Sequence, residues 1–448
     1  MTNSASIPLY LVTSDDLESL EPNHRIWLES NGFEADADSF CLLPGADGTI
    51  DRVLVGYSGE VTTWTLGAVA SKLPPNAYHL ADEWSVEEST NLHLGWNLGQ
   101  YRFAQYKKSK KKYASLTSVS EELASSVSAS FNATRLVRDL INTPANDLGP
   151  SQLQAEAQKL ADQYQAQLII IEGEDLLAQN YPMIHAVGRA SDDAPRLIDM
   201  RWGKDTDPKV TLVGKGVCFD SGGLDLKSAG GMKKMKKDMG GAAHVLGVAS
   251  MVMELKMPVC LRVLIPAVEN SVSGNAMRPL DILPSRKGLT VEVGNTDAEG
   301  RLVLGDALTE ASSEEPGLLI DFATLTGAAR VALGTELPAL FCNRSDILSG
   351  VLESGVTHHD PLWNLPLHKP YRSLLDSSIA DLSNISSGSF GGAITAALFL
   401  QEFIEPDIPW VHIDVMAWNL RSLRGRPEGG EAMGMRAIAH FIQSFFSK

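Results

Sequence analysis

Along residues 118–142, apolar side chains return at Leu123, Val127, Phe131, Leu136, Val137 and Leu140. That three-to-four spacing predicts one long amphipathic helix over Ser118–Asn142. Glu121, three residues after Ser118, makes a capping box, and Pro144 stops the helix. Elsewhere the apolar residues come in short runs. Leu9–Val12 and Val53–Gly56 read as strands, and Thr63–Leu73 and Asn91–Tyr106 read as helices. Leu168–Glu172, Lys209–Val213, Val259–Ile265 and Gly317–Ala323 are further strand candidates, separated by helical or glycine-rich stretches. Alternation of this kind predicts a largely parallel, twisted sheet covered by helices. Ligands of such sheets gather at the carboxyl ends of the strands.

A chain of 448 residues exceeds one ordinary domain. The pattern divides it into an N-terminal α/β domain (1–117), a connecting helix (118–144) and a larger α/β domain (145–448). Hydrophobic residues make up 44% of it, enough for a large core. The formal charge of −17 opposes adhesion to nucleic acid or anionic membrane. The run Lys107–Lys112 is then a solvated loop or helix end rather than a nucleic-acid patch. Cys41, Cys218, Cys260 and Cys342 form no CxxC pair, so they read as reduced thiols. The N-terminus has no basic region followed by an apolar run, and no stretch approaches the roughly 18 apolar residues of a membrane span. The expected location is the cytoplasm.

Candidate chemistry concentrates in the second half. Residues 295–301 read Asn-Thr-Asp-Ala-Glu-Gly-Arg. Were they extended, Asp297, Glu299 and Arg301 would share one face. Upstream, Lys215 and Asp220 flank a strand-end turn, and Gly222-Gly223 precede Lys227. The GxxxxGK[ST] spacing of a phosphate loop is absent. Asp238 stands just before a small-residue helix, where a carboxylate stays ionised. The four lysines preceding it (233, 234, 236, 237) read mostly as a solvated face. Asp220, Asp238, Asp297 and Glu299 supply four negative charges, which two divalent cations would balance. His244 could be put forward as a base, but helix packing explains it better.

These segments resemble the leucine aminopeptidase family of two-metal enzymes. The similarity runs through Arg138–Asn146 (RDLINTPAN), Lys215–Lys227, Asp238–Ala243, Asn295–Leu304 (NTDAEGRLVL), Thr324–Ala328 (TLTGA), Gly391–Leu400 and His412–Trp418. It covers about residue 135 to the C-terminus. The resemblance implies a macro-like N-terminal domain and a catalytic domain with a central, mostly parallel sheet. It implies two divalent ions, Zn²⁺ or Mn²⁺, one held by Lys215, Asp220, Asp238 and Glu299. The other would be held by Asp220, Asp297 with its main-chain carbonyl, and Glu299. Lys227 would donate to the peptide carbonyl, and Arg301 would hold a bicarbonate ion that acts as general base. Met235, Thr324, Leu325, Gly327 and Ala432 would line a side-chain pocket favouring leucine. Residues 421–435 depart from the family wording, and Gly231 stands where a larger residue is common. Peptide substrates, a homohexamer and, in some members, a DNA-binding role belong to the same resemblance. The acidic charge opposes the last.

Overall fold

The computed structural model describes residues 6–108, 110–117 and 120–446. They form two compact units, one of residues 1–135 with 421–428 and one of 136–420 with 429–448. In the first unit, the described strands form a sheet ordered Phe40–Pro44, Ile50–Gly56, Ile7–Val12, Ala77–Leu80, Ser115–Leu116. Alternating residues Leu9, Val53 and Val55 point into a core closed by Tyr78 and Trp96. Two helix expectations change here. The helix over Asn91–Tyr106 instead spans Val86–Gly99, because Ser85 and Glu88 form a capping box upstream. Thr63–Leu73 is a series of tight turns rather than a helix. Most of its bonds reach three residues back, as in Gly67 N to Trp64 O and Lys72 N to Val69 O. The Thr63 and Gly67 carbonyls lie against Gly95 and Gly99, where a Cβ would come within 2.0 and 2.3 Å of them. Those carbonyls are turned to the neighbouring helix instead of their own.

The long helix spans Glu121–Asn142, and Ser118 lies outside the described residues. Its buried stripe carries Leu123, Val127, Val137 and Leu140, as the spacing requires.

In the second unit the central sheet runs Trp363–Asn364, Ala339–Cys342, Trp410–Asp414, Leu318–Ala323, Lys209–Gly214, Cys260–Asn270, Arg196–Trp202, Gln167–Glu172. Gly216–Asp220 also pairs with Cys260–Asn270. The middle is parallel; Arg196–Trp202 and Gln167–Glu172 add an antiparallel edge. Leu318–Ala323 is buried at all six positions, as a strand covered on both faces must be. The helix Gly240–Glu254 packs on Lys209–Gly214 and Leu318–Ala323. Val245, Leu246, Val248, Met251 and Val252 on it are all buried. Each contributes about 1.5–3 kcal/mol of transfer free energy. Strand carboxyl ends Gly214, Asp220, Asn270, Ala323 and Asp414 therefore sit on a rigid frame.

Candidate metal centre

Asp220 is the last residue of its strand, and Lys215 follows the strand Lys209–Gly214. Asp297 and Glu299 lie in a turn leading to the helix Gly300–Ser313. The 295–301 segment is not extended, because Glu299 already has helical backbone angles as that helix's N-cap. The turn, not strand alternation, brings the two carboxylates together. One donor oxygen each from Asp220, Asp297 and Glu299 lie within 4.8 Å of one another. Lys215 Nζ stands 2.6 Å from Asp238 Oδ2 and 3.0 Å from Glu299 Oε1, and donates to Thr324 O at 3.2 Å. Lys227 Nζ is 2.9 Å from Asp220 Oδ2 and also pairs with Asp297.

Neighbours fix these groups. Asn270 Nδ2 donates to Asp220 Oδ1 (2.9 Å) and Thr296 O (3.1 Å), and Gly222 N donates to Asp220 Oδ1. Thr324 Oγ1 donates to Asp238 Oδ1 at 2.8 Å. Asn384 accepts from Gly294 N and donates to Asn295 O, pinning the turn. Gly222 has φ +90°, and a Cβ there would lie 2.5 Å from Asp225 O, so only glycine passes.

The electrostatics ask for more positive charge. Burial, then Glu299 and Asp238, push the Asp220 pKa up to about 8. Burial also raises Glu299. Burial disfavours the Lys215 ammonium, but Asp238, Glu299 and Asp220 outweigh it and raise its pKa. Lys227 is likewise raised, with Asp220 and Asp297 overcoming its burial. Buried oxygen donors sharing too little positive charge suit hard divalent cations. The residues present therefore fit a divalent-cation site.

A cavity of about 260 Å³ is lined by Lys215, Asp220, Lys227, Met235, Asp238, Asp297, Glu299, Thr324, Leu325 and Gly327. Thr326, Val415, Lys237 and Arg330 complete the wall. Ala432 and Arg301 are not among its lining residues. Arg301 lies in the first turn of the helix after Glu299, where its Nη1 donates to Asn384 O at 2.7 Å and its buried Nε lacks a hydrogen-bond partner among the described residues. Burial lowers its pKa to about 10.

The lysine run is not uniformly solvated. Lys237 is only 3% exposed, and burial lowers its pKa to about 8. Its adjacency to Asp238 was the available signal. Asn270, Thr296 and Asn384 carried none, being single polar residues in loops or at a strand end. His244 is a packing residue. Its Nδ1 lies 2.6 Å from Gly240 O, its Nε2 accepts from Met433 N, and the ring stacks on Phe322.

A larger cavity, about 760 Å³, lies at the opposite, amino ends of the strands beginning at Lys209 and Cys260. Its arginines are already committed to carboxylates: Arg262 pairs with Asp199 and Glu310, and Arg201 with Glu314. The smaller, chemically convergent cavity is the better candidate.

Residues 135–439 match the model of the cytosol aminopeptidase family, catalytic domain. Residues 7–118 match that of the M17 aminopeptidase N-terminal domain. A probable cytosol aminopeptidase of Syntrophotalea carbinolica is 44% identical over 69% of this chain and 62% of its own length. Peptidase B of Pectobacterium atrosepticum is 42% identical over 69% of this chain and 73% of its own length. Among solved structures, a cytosol aminopeptidase from Coxiella burnetii superposes with TM-score 0.96 at 46% identity. It covers 100% of this chain and 98% of that one. The bottromycin maturation enzyme BotP, solved in complex with Mn, matches with TM-score 0.90 at 31% identity over 99% and 100%.

Proposed function

The chain belongs to the cytosol aminopeptidase family of metal-dependent exopeptidases, and from that premise we propose how its own residues remove the N-terminal residue of a peptide. The observation that carries the reading is the convergence of Asp220, Asp297 and Glu299 around Lys215 and Asp238. One divalent ion would be held by Lys215, Asp220, Asp238 and Glu299, and the other by Asp220, Asp297 and Glu299. Asp297 would add its main-chain carbonyl to the second. Zn²⁺ and Mn²⁺ both suit this donor set, and a relative has been solved with Mn. When bound, such a pair polarises the scissile carbonyl, lowers the pKa of water and anchors the substrate's free amine.

The protein's part is positioning and proton control. Lys215 must be neutral to be a ligand, a state that an adjacent dication favours. Lys227, tied to Asp220 and Asp297, keeps its proton and donates to the carbonyl oxygen as negative charge builds there. Arg301 would hold a bicarbonate ion, and its unpartnered buried Nε supports an acceptor beside it. Held there, such an ion would supply a general base where the lining carboxylates are already committed to cations. Met235, Thr324, Leu325 and Gly327 supply a surface for leucine-like side chains, with methionine able to adapt. Ala432 would close that surface. A cytoplasmic homohexamer is the assembly we infer; among the described residues no helix is long and apolar enough to cross a membrane. The −17 charge lends no support to a DNA-binding role.

The test is release of leucine from leucyl-p-nitroanilide. A chelator should abolish it, and Zn²⁺ or Mn²⁺ should restore it. Equal rates with and without chelator would refute the reading.

A further inference from the structure

The segment 421–428, where the chain departs from the family wording, belongs to the first compact unit. There it closes a cavity of about 550 Å³ together with the turns at 67–72 and the end of the helix Val86–Gly99. The close approach depends on glycine: a Cβ on Gly67 would stand 2.8 Å from Gly425 N. No residue of this wall lines the metal centre. Its charged members are Lys72, Arg102, Arg424, Arg426 and Asp38, four cations and one acid in a chain of formal charge −17.

The acid leaves most of this charge unbalanced. Asp38 Oδ2 pairs with Arg424 Nε at 2.5 Å, and among the described residues no carboxylate pairs with Lys72, Arg102 or Arg426. Arg102 Nη1 donates to the carbonyl of its own neighbour, Tyr101 O, at 2.8 Å. The Arg426 guanidinium rests on the Trp64 ring, 4.5 Å from its centroid, a stacking that fixes the fork in place. Its Nε is buried and has no hydrogen-bond partner among the described residues. An unmade buried hydrogen bond costs free energy that a bound acceptor recovers. Like charges lining one concavity add their fields and concentrate anions there.

Phosphate is the anion that this wall suits. Guanidinium forks bind its oxygens in pairs. A phosphate monoester carries about −1.5 to −2 charges at neutral pH, of the order of the local excess. The cavity is also within the roughly 300–1,000 Å³ of small-molecule sites, and Leu98, Leu423 and Pro427 offer an ester's organic part an apolar flank.

We propose that this cavity is a second ligand site, binding a small phosphate, free or as a monoester, through Arg102 and Arg426 with Lys72 and Arg424 in support. The site is separate from peptide hydrolysis and does not rest on the aminopeptidase reading.

The experiment is calorimetric titration of the full-length, metal-loaded protein with inorganic phosphate, adenosine 5′-monophosphate and adenosine. The variants are Arg102→Met, Arg426→Met and Asp38→Asn. Asparagine tolerates the φ of +74° at position 38. Phosphate-bearing probes should bind once per chain, and adenosine should not. Each methionine variant should bind about tenfold more weakly or worse. Asp38→Asn should bind more tightly, a gain that misfolding cannot imitate. Turnover of leucyl-p-nitroanilide without added phosphate should be the same in all. The tighter of the two phosphates identifies the source, free anion or ester. Affinity unmoved in all three variants would place the phosphate on the metal ions and overturn the proposal. Adenosine binding as tightly as its monophosphate would overturn it too. So would neither phosphate binding at millimolar concentration; duplex DNA bound by the parent and lost in the methionine variants would then assign the cations to nucleic acid.

Discussion

Replacing Gly300 with alanine puts a methyl group where Lys215 lies. The new Cβ would stand 2.5 Å from Lys215 Cε and 2.7 Å from its Nζ, so the lysine must move. Its ammonium is tethered to Asp238, Glu299 and Thr324 O, and the shift breaks the geometry of all three. Two effects oppose each other in the fold. Alanine in a helix is favoured over glycine by about 1 kcal/mol, while overpacking costs about 1–3 kcal/mol. The net change in stability is therefore small, within about 2 kcal/mol of destabilisation by the same figures. The metal site has no such compensation. Displacing a ligand or its support costs about 10–100-fold in metal affinity, equivalent to roughly 1.4–2.8 kcal/mol. The assay is metal content by mass spectrometry after equilibration against buffered Zn²⁺ or Mn²⁺, beside a thermal unfolding curve. Gly300→Ala that folds like the parent and binds metal with the parent's affinity would show that Lys215 is no ligand.

Further outcomes follow from the same geometry. Arg301→Ala should retain both metal ions yet slow turnover on leucyl-p-nitroanilide, and the parent should gain rate with added bicarbonate while the variant does not; a variant as fast as the parent removes Arg301 from the mechanism. Thr324→Val deletes the hydroxyl that donates to Asp238 Oδ1 at 2.8 Å, and should weaken metal binding about tenfold or more, read by the same metal titration. His244 is held neutral, its burial lowering its pKa to about 4 from an ordinary 6.5. The unfolded chain therefore binds the extra proton first, and stability present above pH 6.5 is lost as pH falls toward 4. The contribution is at most roughly 3 kcal/mol. Urea unfolding midpoints across that range should fall more steeply for the parent than for His244→Gln; parallel curves would contradict the assignment.

The sequence was most readable where one local pattern decides the outcome. The apolar stripe from Leu123 to Leu140 announced its helix, and Lys209–Gly214 and Leu318–Ala323 were legible as strands because short, mainly apolar runs fill them, Asp321 being the one acid among them. Arg196–Trp202 escaped notice because Arg196, Asp199 and Arg201 interrupt its apolar pattern; ion pairs with the distant Glu172, Arg262 and Glu314 satisfy them. Thr63–Leu73 has helical spacing, yet packing against Gly95 and Gly99 overrides it. At the site, residue types and charge balance pointed to Asp220, Asp238, Asp297 and Glu299, although the extended geometry expected for 295–301 is a turn. Asn270 and Asn384 could not be found that way, since their role exists only once distant loops meet. Lys237 looked like one more solvated lysine because burial is not written in a run of four.

The central claim is that four carboxylates and a lysine hold two divalent ions with Asp220 and Glu299 shared between them. The most direct measurement is metal stoichiometry by mass spectrometry in the parent and in Glu299→Ala, with circular dichroism to verify the fold. The account predicts two ions per chain in the parent, and loss of metal from both positions in the folded variant. Two ions retained in Glu299→Ala, or a parent that binds none, would contradict it.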